Sequence, residues 1–283
     1  MNNHPCFATY QAFLVDMDGV LTRGSSALPG AVDALRAMQT HGRVLLLTNN
    51  STRSQHEVSR HLSLLAFDVA AEDVLPTSTL AARYLRERAG ATTVWVVGEA
   101  GLRDELVLAG HELADRPDRA EWLVVGMDRR LDYEKLRLAL QALLSGARLL
   151  ATNEDATYPT SDGLVPGAGA VVGALRGMGY APEAVVGKPS RLAFDAALAE
   201  LALPAERVLM IGDRLETDIV GARDAGLDSA LVLSGVSAAD DLARSGVRPT
   251  WVAASLADLC AGRMERFPEG GGCSSGRRCG TMG

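Results

Sequence analysis

The sequence has few cysteines and little positive charge. Its four cysteines are Cys6, Cys260, Cys273 and Cys279, with no Cys-x-x-Cys pair and no histidine beside them at the spacing of a zinc site. We therefore expect ordinary thiols in a reducing compartment rather than a structural metal. Aspartate and glutamate (35) outnumber lysine and arginine (28), and the resulting net charge of −7 argues against a nucleic-acid-binding protein.

Long apolar runs are also missing. The sequence contains no stretch of 18 apolar residues, and its amino-terminal segment is polar rather than signal-like. We expect no membrane span and a cytoplasmic location. The chain does have 283 residues, 47% of them hydrophobic and 22% charged, which is enough for one large domain or two modest ones with full cores.

The most informative stretch is the apolar run that begins at Phe13. It ends on Asp16, with Asp18 and Gly19 directly after it, and this pattern predicts a buried strand that delivers two carboxylates into a turn. Carboxylates placed so close together repel each other, and Mg²⁺ with a bound phosphate would relieve that repulsion. A solvated acidic turn after an edge strand is the alternative, because short motifs of this kind recur by accident.

Strand-like and helix-like segments alternate along most of the chain. This alternation predicts an α/β fold with a doubly wound, mainly parallel sheet. The segment 78–178 has α/β content of its own, and the glycine- and proline-rich passage 161–169 suits a hinge or a return between domains. We predict a core formed by 1–77 and 179–262, an inserted α/β domain at 78–178, and a flexible glycine-rich tail at 263–283.

Polar residues follow four of the predicted strands. They are Asp16 with Asp18, Thr48 with Asn49 and Asn50, Lys188, and Asp213 with Asp218 further along. Ligands of open parallel sheets bind outside the carboxyl ends of the strands, so these residues could form one site. Each also has an ordinary alternative as a helix cap, a solvated lysine or a carboxylate near a helix N-terminus. Their occurrence together on one alternating pattern favours the single site.

Such a set of side chains could cleave a phosphate ester. One carboxylate can attack phosphorus and form an aspartyl-phosphate, while a second protonates the leaving alkoxide and later deprotonates water. Mg²⁺ and a lysine would neutralise the phosphoryl oxygens, and hydroxyl and backbone donors would hold the remaining oxygen.

Four segments resemble the motifs of the haloacid dehalogenase (HAD) superfamily. They are Asp16-Met-Asp18-Gly-Val, Leu47-Thr-Asn-Asn50, Gly187-Lys188-Pro and Gly212-Asp213-Arg-Leu-Glu-Thr-Asp218-Ile. The resemblance runs from about residue 11 to 255, and its details are similar to the NagD-like subfamily IIA, which includes 4-nitrophenyl phosphatases and phosphoglycolate phosphatases. It implies a Rossmannoid core with a type C2 α/β cap inserted between the second and third motifs.

The resemblance also implies catalytic and metal-binding roles. Asp16 would be the nucleophile and Asp18 the general acid/base. Asp16, the backbone carbonyl of Asp18 and Asp213 would hold Mg²⁺. Asp218 would lie one step further out, near the waters on the metal or near Lys188.

Other residues would meet the substrate. By the same resemblance, Thr48, Asn49 and Asn50 would bind the phosphoryl group, and Lys188 would neutralise it. The cap should select the substrate, and Tyr158 falls where pyridoxal phosphatase members carry a histidine that contacts substrate. Tyr158 is thus either a substrate contact or an aromatic of the core or hinge, and it argues against pyridoxal phosphate as the substrate.

We therefore expect a Mg²⁺-dependent phosphatase of small phosphomonoesters such as glycerol phosphate, phosphoglycolate or 4-nitrophenyl phosphate. Nucleoside monophosphates and sugar phosphates are alternative substrates, and a phosphotransferase or mutase is an alternative activity. A phospho-receiver is disfavoured, because it needs no leaving-group acid at Asp18. The expected partner is a small phosphorylated metabolite, with no nucleic acid and no membrane, and a homodimer is a candidate assembly.

Overall fold

The computed structural model describes residues 9–160 and 163–267. Helices and strands alternate along most of this chain, as the sequence pattern predicts. The helices are α1 Ala31–Gln39, α2 Gln55–Leu64, α3 Thr77–Ala89, α4 Ala100–Leu108, α5 Tyr133–Leu144, α6 Ala168–Gly177, α7 Arg191–Leu201, α8 Val220–Ala225, α9 Ala239–Ser245 and α10 Leu256–Cys260. No helix in these two ranges has the length and apolar character to cross a bilayer.

The strands form two main sheets and two hairpins. They are β1 Ala12–Val15, β2 Thr22–Arg23, β3 Ser26–Ala27, β4 Arg43–Thr48, β5 Val74–Pro76, β6 Thr93–Val97, β7 Glu112–Leu113, β8 Trp122–Val125, β9 Arg148–Ala151, β10 Thr157–Thr160, β11 Gly163–Pro166, β12 Ala184–Val185, β13 Val208–Gly212, β14 Asp228–Val232, β15 Trp251–Ala253 and β16 Met264–Arg266. The larger sheet has the order β16-β15-β14-β13-β1-β4-β5 and the smaller one β12-β9-β8-β6-β7. Apart from the antiparallel pair of β15 and β16, both sheets are parallel.

Helices cover both faces of the larger sheet. Ala12 and Leu14 of β1 belong to the apolar cluster that includes α3 and α7, whereas Phe13 and Val15 belong to the cluster that includes α1, α2 and α10. All four residues are fully buried, as expected for a central strand between two helical layers. The doubly wound, mainly parallel α/β fold predicted from the sequence is confirmed.

The smaller sheet lies in the inserted segment. Helices α5 and α6 cover one of its faces, and α3 and α4 cover the other. Leu14 of the larger sheet and Val124 of the smaller one belong to a single apolar cluster, so continuous packing joins the two sheets. β12 (Ala184–Val185) pairs with β9 of the smaller sheet, although the sequence analysis assigned it to the core. We therefore propose that the inserted domain extends to Val185 rather than ending at 178.

Two other predicted features differ from the structure. The passage 161–169, expected as a hinge or a return between domains, contains β11, which pairs with β10 in a hairpin. The first residues of the tail predicted from 263 form a strand, because Met264–Arg266 pair with the edge strand β15. Both strands are too short for hydrophobic periodicity to reveal. The rest of the predicted tail from residue 268, with Cys273 and Cys279, lies outside the described residues, as does Cys6.

Helix α4 of the inserted domain begins against the core backbone, and Gly101 permits this close approach. A Cβ at Gly101 would lie 2.1 Å from the carbonyl carbon of Arg53, and the Gly101 N–H donates to the Thr52 carbonyl at 3.2 Å. We expect Gly101→Ala to lower the free energy of unfolding, measured by urea denaturation, by about 1–3 kcal/mol because the helix must shift.

The matched control is Gly173→Ala in α6, where an added Cβ meets no atom within 4 Å. This substitution should raise the free energy of unfolding by about 0.5–1 kcal/mol, because alanine favours the helix. Equal effects of the two substitutions would contradict the assigned contact between α4 and the core.

Candidate active site

The order of the strands brings the predicted site residues to one edge of the larger sheet. Asp16 follows β1, Thr48 ends β4 and Asp213 follows β13, and β1 lies between the other two strands. The Asp16 N–H donates to the Ile211 carbonyl at 2.9 Å, which continues the ladder of β1 and β13 past the end of β1. Carboxylates from two strands and a hydroxyl from the third therefore meet at the carboxyl ends of a parallel sheet.

Lys188 is the buried cation of this site. Its Nζ lies 2.6 Å from Asp16 Oδ1 and 2.7 Å from Asp218 Oδ1, and the lysine side chain is 2% exposed. Burial acts to lower the pKa of Lys188, but the two carboxylates outweigh it and raise the pKa. Lys188 thus stays charged at neutral pH, where it could contact phosphoryl oxygens.

Three buried carboxylates make the site a candidate metal centre. One oxygen each from Asp16, Asp213 and Asp218 lies within 4.8 Å of the others. Oδ1 of Asp213 is buried with no hydrogen-bond partner in the described part of the chain, whereas Oδ2 accepts the Val236 N–H at 2.7 Å. Burial, and next the charge of Asp218, raises the pKa of Asp213 to about 7.

The charge of the cluster fits a divalent cation. Asp16, Asp213 and Asp218 face one ammonium, that of Lys188, so two negative charges are uncompensated when all three acids are ionised. Burial raises the pKa of Asp16 as well, with Lys188 opposing the rise. Mg²⁺ accepts carboxylate oxygens and would balance this charge, so the donor set fits the predicted metal.

Two glycines leave room around Asp213. A Cβ at Gly19, where φ is +93°, would lie 2.3 Å from Asp213 Oδ2, and a Cβ at Gly235 would lie 1.8 Å from the same atom. The Ser234 hydroxyl donates to the Gly19 carbonyl at 2.7 Å and joins the two turns. Gly235 was not predicted from the sequence. Its signal was a fifth strand end, after β14, where the small residues Ser234 and Gly235 follow Leu233.

Asp18 faces the inserted domain. The Tyr158 hydroxyl, on β10, lies 3.3 Å from each Asp18 carboxylate oxygen and donates to that carboxylate, and it accepts from Asn50 Nδ2 at 3.3 Å. Burial raises the pKa of Asp18 to about 6, and the Tyr158 hydrogen bond acts against this rise. The Asp18 carboxylate stands outside the cluster of three acids, so the site separates the predicted proton carrier from the candidate metal ligands.

The residues at the end of β4 make two kinds of contact. Thr48 Oγ1 accepts the Asn50 N–H at 3.2 Å, which leaves the Thr48 hydroxyl proton to donate. The Asn49 side chain is instead bonded to the Lys188 backbone and to the Asp155 carboxylate. Both donor hydrogens of the Asn49 carboxamide are thus used within the protein, and the contact of Asn49 with the phosphoryl group stays a prediction.

A cavity of about 40 Å³ lies between the two sheets at this site. This volume holds about three water molecules. The lining residues are Asp16, Asp18, Thr48, Asn49, Asn50, Met127, Asn153, Asp155, Thr157, Tyr158, Pro159, Gly167, Ala168, Lys188, Arg214, Thr217 and Asp218. The cavity therefore brings together all the predicted site residues except Asp213, which lies fully buried behind it.

Arg214 is a lining residue that the sequence analysis passed over. It directly follows Asp213, and its Nη2 donates to the Thr157 carbonyl of the inserted domain at 3.3 Å. Its position inside the fourth motif was the available signal. Met127 also lines the cavity, but no local pattern in the sequence marks it.

Family models match both parts of the larger sheet. The model for haloacid dehalogenase-like hydrolases matches residues 13–112, and the HAD-hydrolase-like model matches residues 185–259. Among curated proteins, the chain is 35% identical over 237 residues to Sugar-phosphatase AraL of Bacillus subtilis, covering 83% of this chain and 87% of that protein. It is 34% identical over 260 residues to dihydroxyacetone phosphatase of Corynebacterium glutamicum, covering 92% and 94%.

Solved structures agree with these relatives. The p-nitrophenyl phosphatase from Archaeoglobus fulgidus superposes with a TM-score of 0.84 at 34% identity, covering 89% of this chain and 99% of that one. Glycerol phosphate phosphatase from Mycobacterium tuberculosis, solved in complex with magnesium, superposes with a TM-score of 0.82 at 36% identity, covering 89% and 77%.

The metal assignment predicts how Mg²⁺ changes thermal unfolding. Mg²⁺ at about 100 Kd should raise the Tm of the native protein by about 5–10 °C, and EDTA should reverse the rise. Asp213→Asn should abolish this response. Without Mg²⁺ its Tm should stay level or rise, because the repulsion between residue 213 and Asp218 falls.

The matched control is Asp33→Asn in α1, which removes the same charge from a side chain that is 86% exposed. It should keep the full response to Mg²⁺. A rise in Tm for Asp213→Asn equal to that of the native protein would contradict the metal assignment.

Proposed function

The chain belongs to the haloacid dehalogenase superfamily, in its NagD-like subfamily IIA, and from that membership we propose how its residues carry out the reaction. It is a Mg²⁺-dependent phosphoric monoester hydrolase that acts on small phosphorylated molecules. The observation that carries the residue assignment is the 2.6 Å contact of Lys188 Nζ with Asp16 Oδ1 beside the cluster of three carboxylates.

In the first proposed step, Asp16 attacks the phosphorus. A bond forms between a carboxylate oxygen of Asp16 and phosphorus while the bond from phosphorus to the ester oxygen breaks. Asp18 gives its proton to that departing oxygen, and the product alcohol leaves. A pKa of about 6 keeps a fraction of Asp18 protonated at neutral pH, which suits a group that acts as an acid first and a base second.

In the second step, water cleaves the aspartyl-phosphate. Asp18, now ionised, takes a proton from the attacking water, the new bond from oxygen to phosphorus forms, and the bond from phosphorus to Asp16 breaks. Inorganic phosphate is released and both carboxyl groups return to their starting states. The Tyr158 hydrogen bond stabilises ionised Asp18 and so supports this second role.

Other side chains hold the phosphoryl group through both steps. We assign its oxygens to the Lys188 ammonium, the Thr48 hydroxyl and the Asn50 amide, which line the same cavity. Asp16, the backbone carbonyl of Asp18 and Asp213 are the proposed holders of Mg²⁺. When bound, the ion supplies positive charge to the phosphoryl oxygens and to Asp16. Asp218 forms a second ion pair with the same ammonium and helps to hold Lys188 in place.

We propose that Tyr158 meets the substrate on the leaving-group side. Its hydroxyl now occupies the position next to Asp18 from which a leaving oxygen would accept a proton. The substrate must therefore displace this hydroxyl as it enters, and the tyrosine ring then flanks the leaving group.

For the substrate we propose a short polyol or sugar phosphate, with glycerol phosphate first. The matched relatives bear the names sugar phosphatase, dihydroxyacetone phosphatase and glycerol phosphate phosphatase. We propose the cytoplasm as the location and a homodimer as the assembly.

The nucleophile assignment predicts the effect of Asp16→Asn. An amide cannot attack phosphorus, so kcat should fall at least about 1,000-fold, while circular dichroism stays unchanged. The matched control is Asp33→Asn in α1, where the aspartate side chain is 86% exposed and the same chemical change should leave kcat as it is. Turnover by Asp16→Asn within tenfold of the native rate would contradict the mechanism.

The substrate proposal predicts a ranking. In a phosphate-release screen, glycerol phosphate and small sugar phosphates should show kcat/KM values at least about tenfold above those of nucleoside monophosphates. Phosphate should also be released from 4-nitrophenyl phosphate in water without an acceptor alcohol, as a hydrolase requires. A nucleoside monophosphate at the top of the ranking would contradict the substrate, and a requirement for an acceptor would indicate a phosphotransferase.

A further inference from the structure

The Asn49 carboxamide forms two hydrogen bonds with the backbone of Lys188. Its Oδ1 accepts the Lys188 N–H at 2.8 Å, and its Nδ2 donates to the Lys188 carbonyl at 3.0 Å. These two hydrogen bonds hold the N–H and the carbonyl on either side of the Lys188 Cα, and so fix the backbone position of this residue. The side chain that reaches Asp16 therefore starts from a backbone that Asn49 holds.

The second hydrogen of Asn49 Nδ2 is directed at the inserted domain. Asp155 accepts it with both carboxylate oxygens at 3.1 Å. Asp155 precedes β10, the strand that carries Tyr158, and its own N–H donates to Asn153 Oδ1 at 3.1 Å. Burial raises the pKa of Asp155, with the Asn49 hydrogen bond opposing the rise. This buried carboxyl group has no part in the proposed reaction steps.

The Asn49 backbone lies where the chain crosses between the two sheets. Its carbonyl accepts from Thr77 Oγ1 at 2.9 Å and from Asn153 Nδ2 at 2.7 Å. The first crossing, from the larger sheet to the smaller one, starts at Thr77. The second crossing, back to the larger sheet, ends at Gly187. A Cβ at Gly187 would lie 2.6 Å from Asn49 Oδ1, so the second crossing also packs directly on this carboxamide.

We infer that Asn49 and Asp155 are positioning residues that make the placement of Lys188 depend on the inserted domain. When that domain is in place, Asp155 orients the Asn49 carboxamide, and the carboxamide holds the Lys188 backbone so that Nζ reaches Asp16. The inserted domain thus helps to assemble the phosphoryl site in addition to covering the substrate. This inference rests on the proposed roles of Lys188 and Asp16.

A double-mutant cycle tests the coupling. Asn49→Ala and Asp155→Ala should each lower kcat about tenfold or more with a smaller change in KM, because they misplace a group needed in the transition state. The double variant should be no slower than Asn49→Ala alone, since Asp155 acts through Asn49. Losses in kcat that multiply in the double variant would overturn the inference.

An exchange of the two side chains gives a sharper readout. Asn49→Asp places two carboxylates against each other, and adding Asp155→Asn restores a donor and an acceptor between them. Asp155→Asn should therefore lower the kcat of the native chain but raise that of the Asn49→Asp variant about threefold or more. If Asp155→Asn lowers kcat both in the native chain and in the Asn49→Asp variant, the inference is overturned.

Controls separate the possible failures. Glu154 is the exposed neighbour of Asp155 and pairs with Arg176. Glu154→Gln should leave kcat unchanged. If neither Asn49 variant folds, Asp155→Ala decides alone, and a higher KM with unchanged kcat would overturn the inference. Retained turnover by Asp16→Asn means that the proposed function itself is wrong. If Asp16→Asn loses turnover but Asp155→Asn does not rescue the Asn49→Asp variant, only this inference is wrong.

Discussion

The site depends on one electrostatic constraint, which is that several carboxylates are buried around a single lysine. An isolated buried charge costs several kcal/mol, and the cost is offset only when partners and hydrogen bonds surround the charge. Lys188 contacts Asp16 and Asp218 directly, and Asp213 completes the cluster behind them. The neighbouring strand ends, the two glycines beside Asp213 and the carboxamide of Asn49 all act to keep these charges in contact. The remaining repulsion between the carboxylates makes the cluster suited to a divalent cation.

The same arrangement gives Asp16 and Asp18 different environments although only one residue separates them. Asp16 lies among the charged groups at the end of β1, whereas Asp18 is turned toward the inserted domain and contacts Tyr158. The proposed nucleophile is thus tied to the core, and the proposed proton carrier is tied to the inserted domain. The small cavity and the Tyr158 contact leave little free space beside Asp18.

Much of the site could be predicted from the sequence, because parallel strands place their carboxyl ends at one edge. Asp16, Thr48 and Asp213 follow from that rule alone, and motif resemblance added the roles. The contact of Asn49 with Asp155 could not be predicted, because it joins residues 106 positions apart that belong to no common motif. β12 was assigned to the wrong sheet for a related reason. A strand of two residues carries no periodicity, and its partner is chosen by the packing of the inserted domain.

Trapping of the covalent intermediate tests the central claim most directly. The Asp18→Asn variant keeps the nucleophile but has no base to activate water, so mixing it with 4-nitrophenyl phosphate and quenching in acid should accumulate phosphoenzyme. Mass spectrometry of the digested protein should then find one phosphoryl group on the peptide that contains Asp16. A phosphoryl group on a peptide without Asp16, or phosphate release with no phosphoenzyme at any time, would contradict the account.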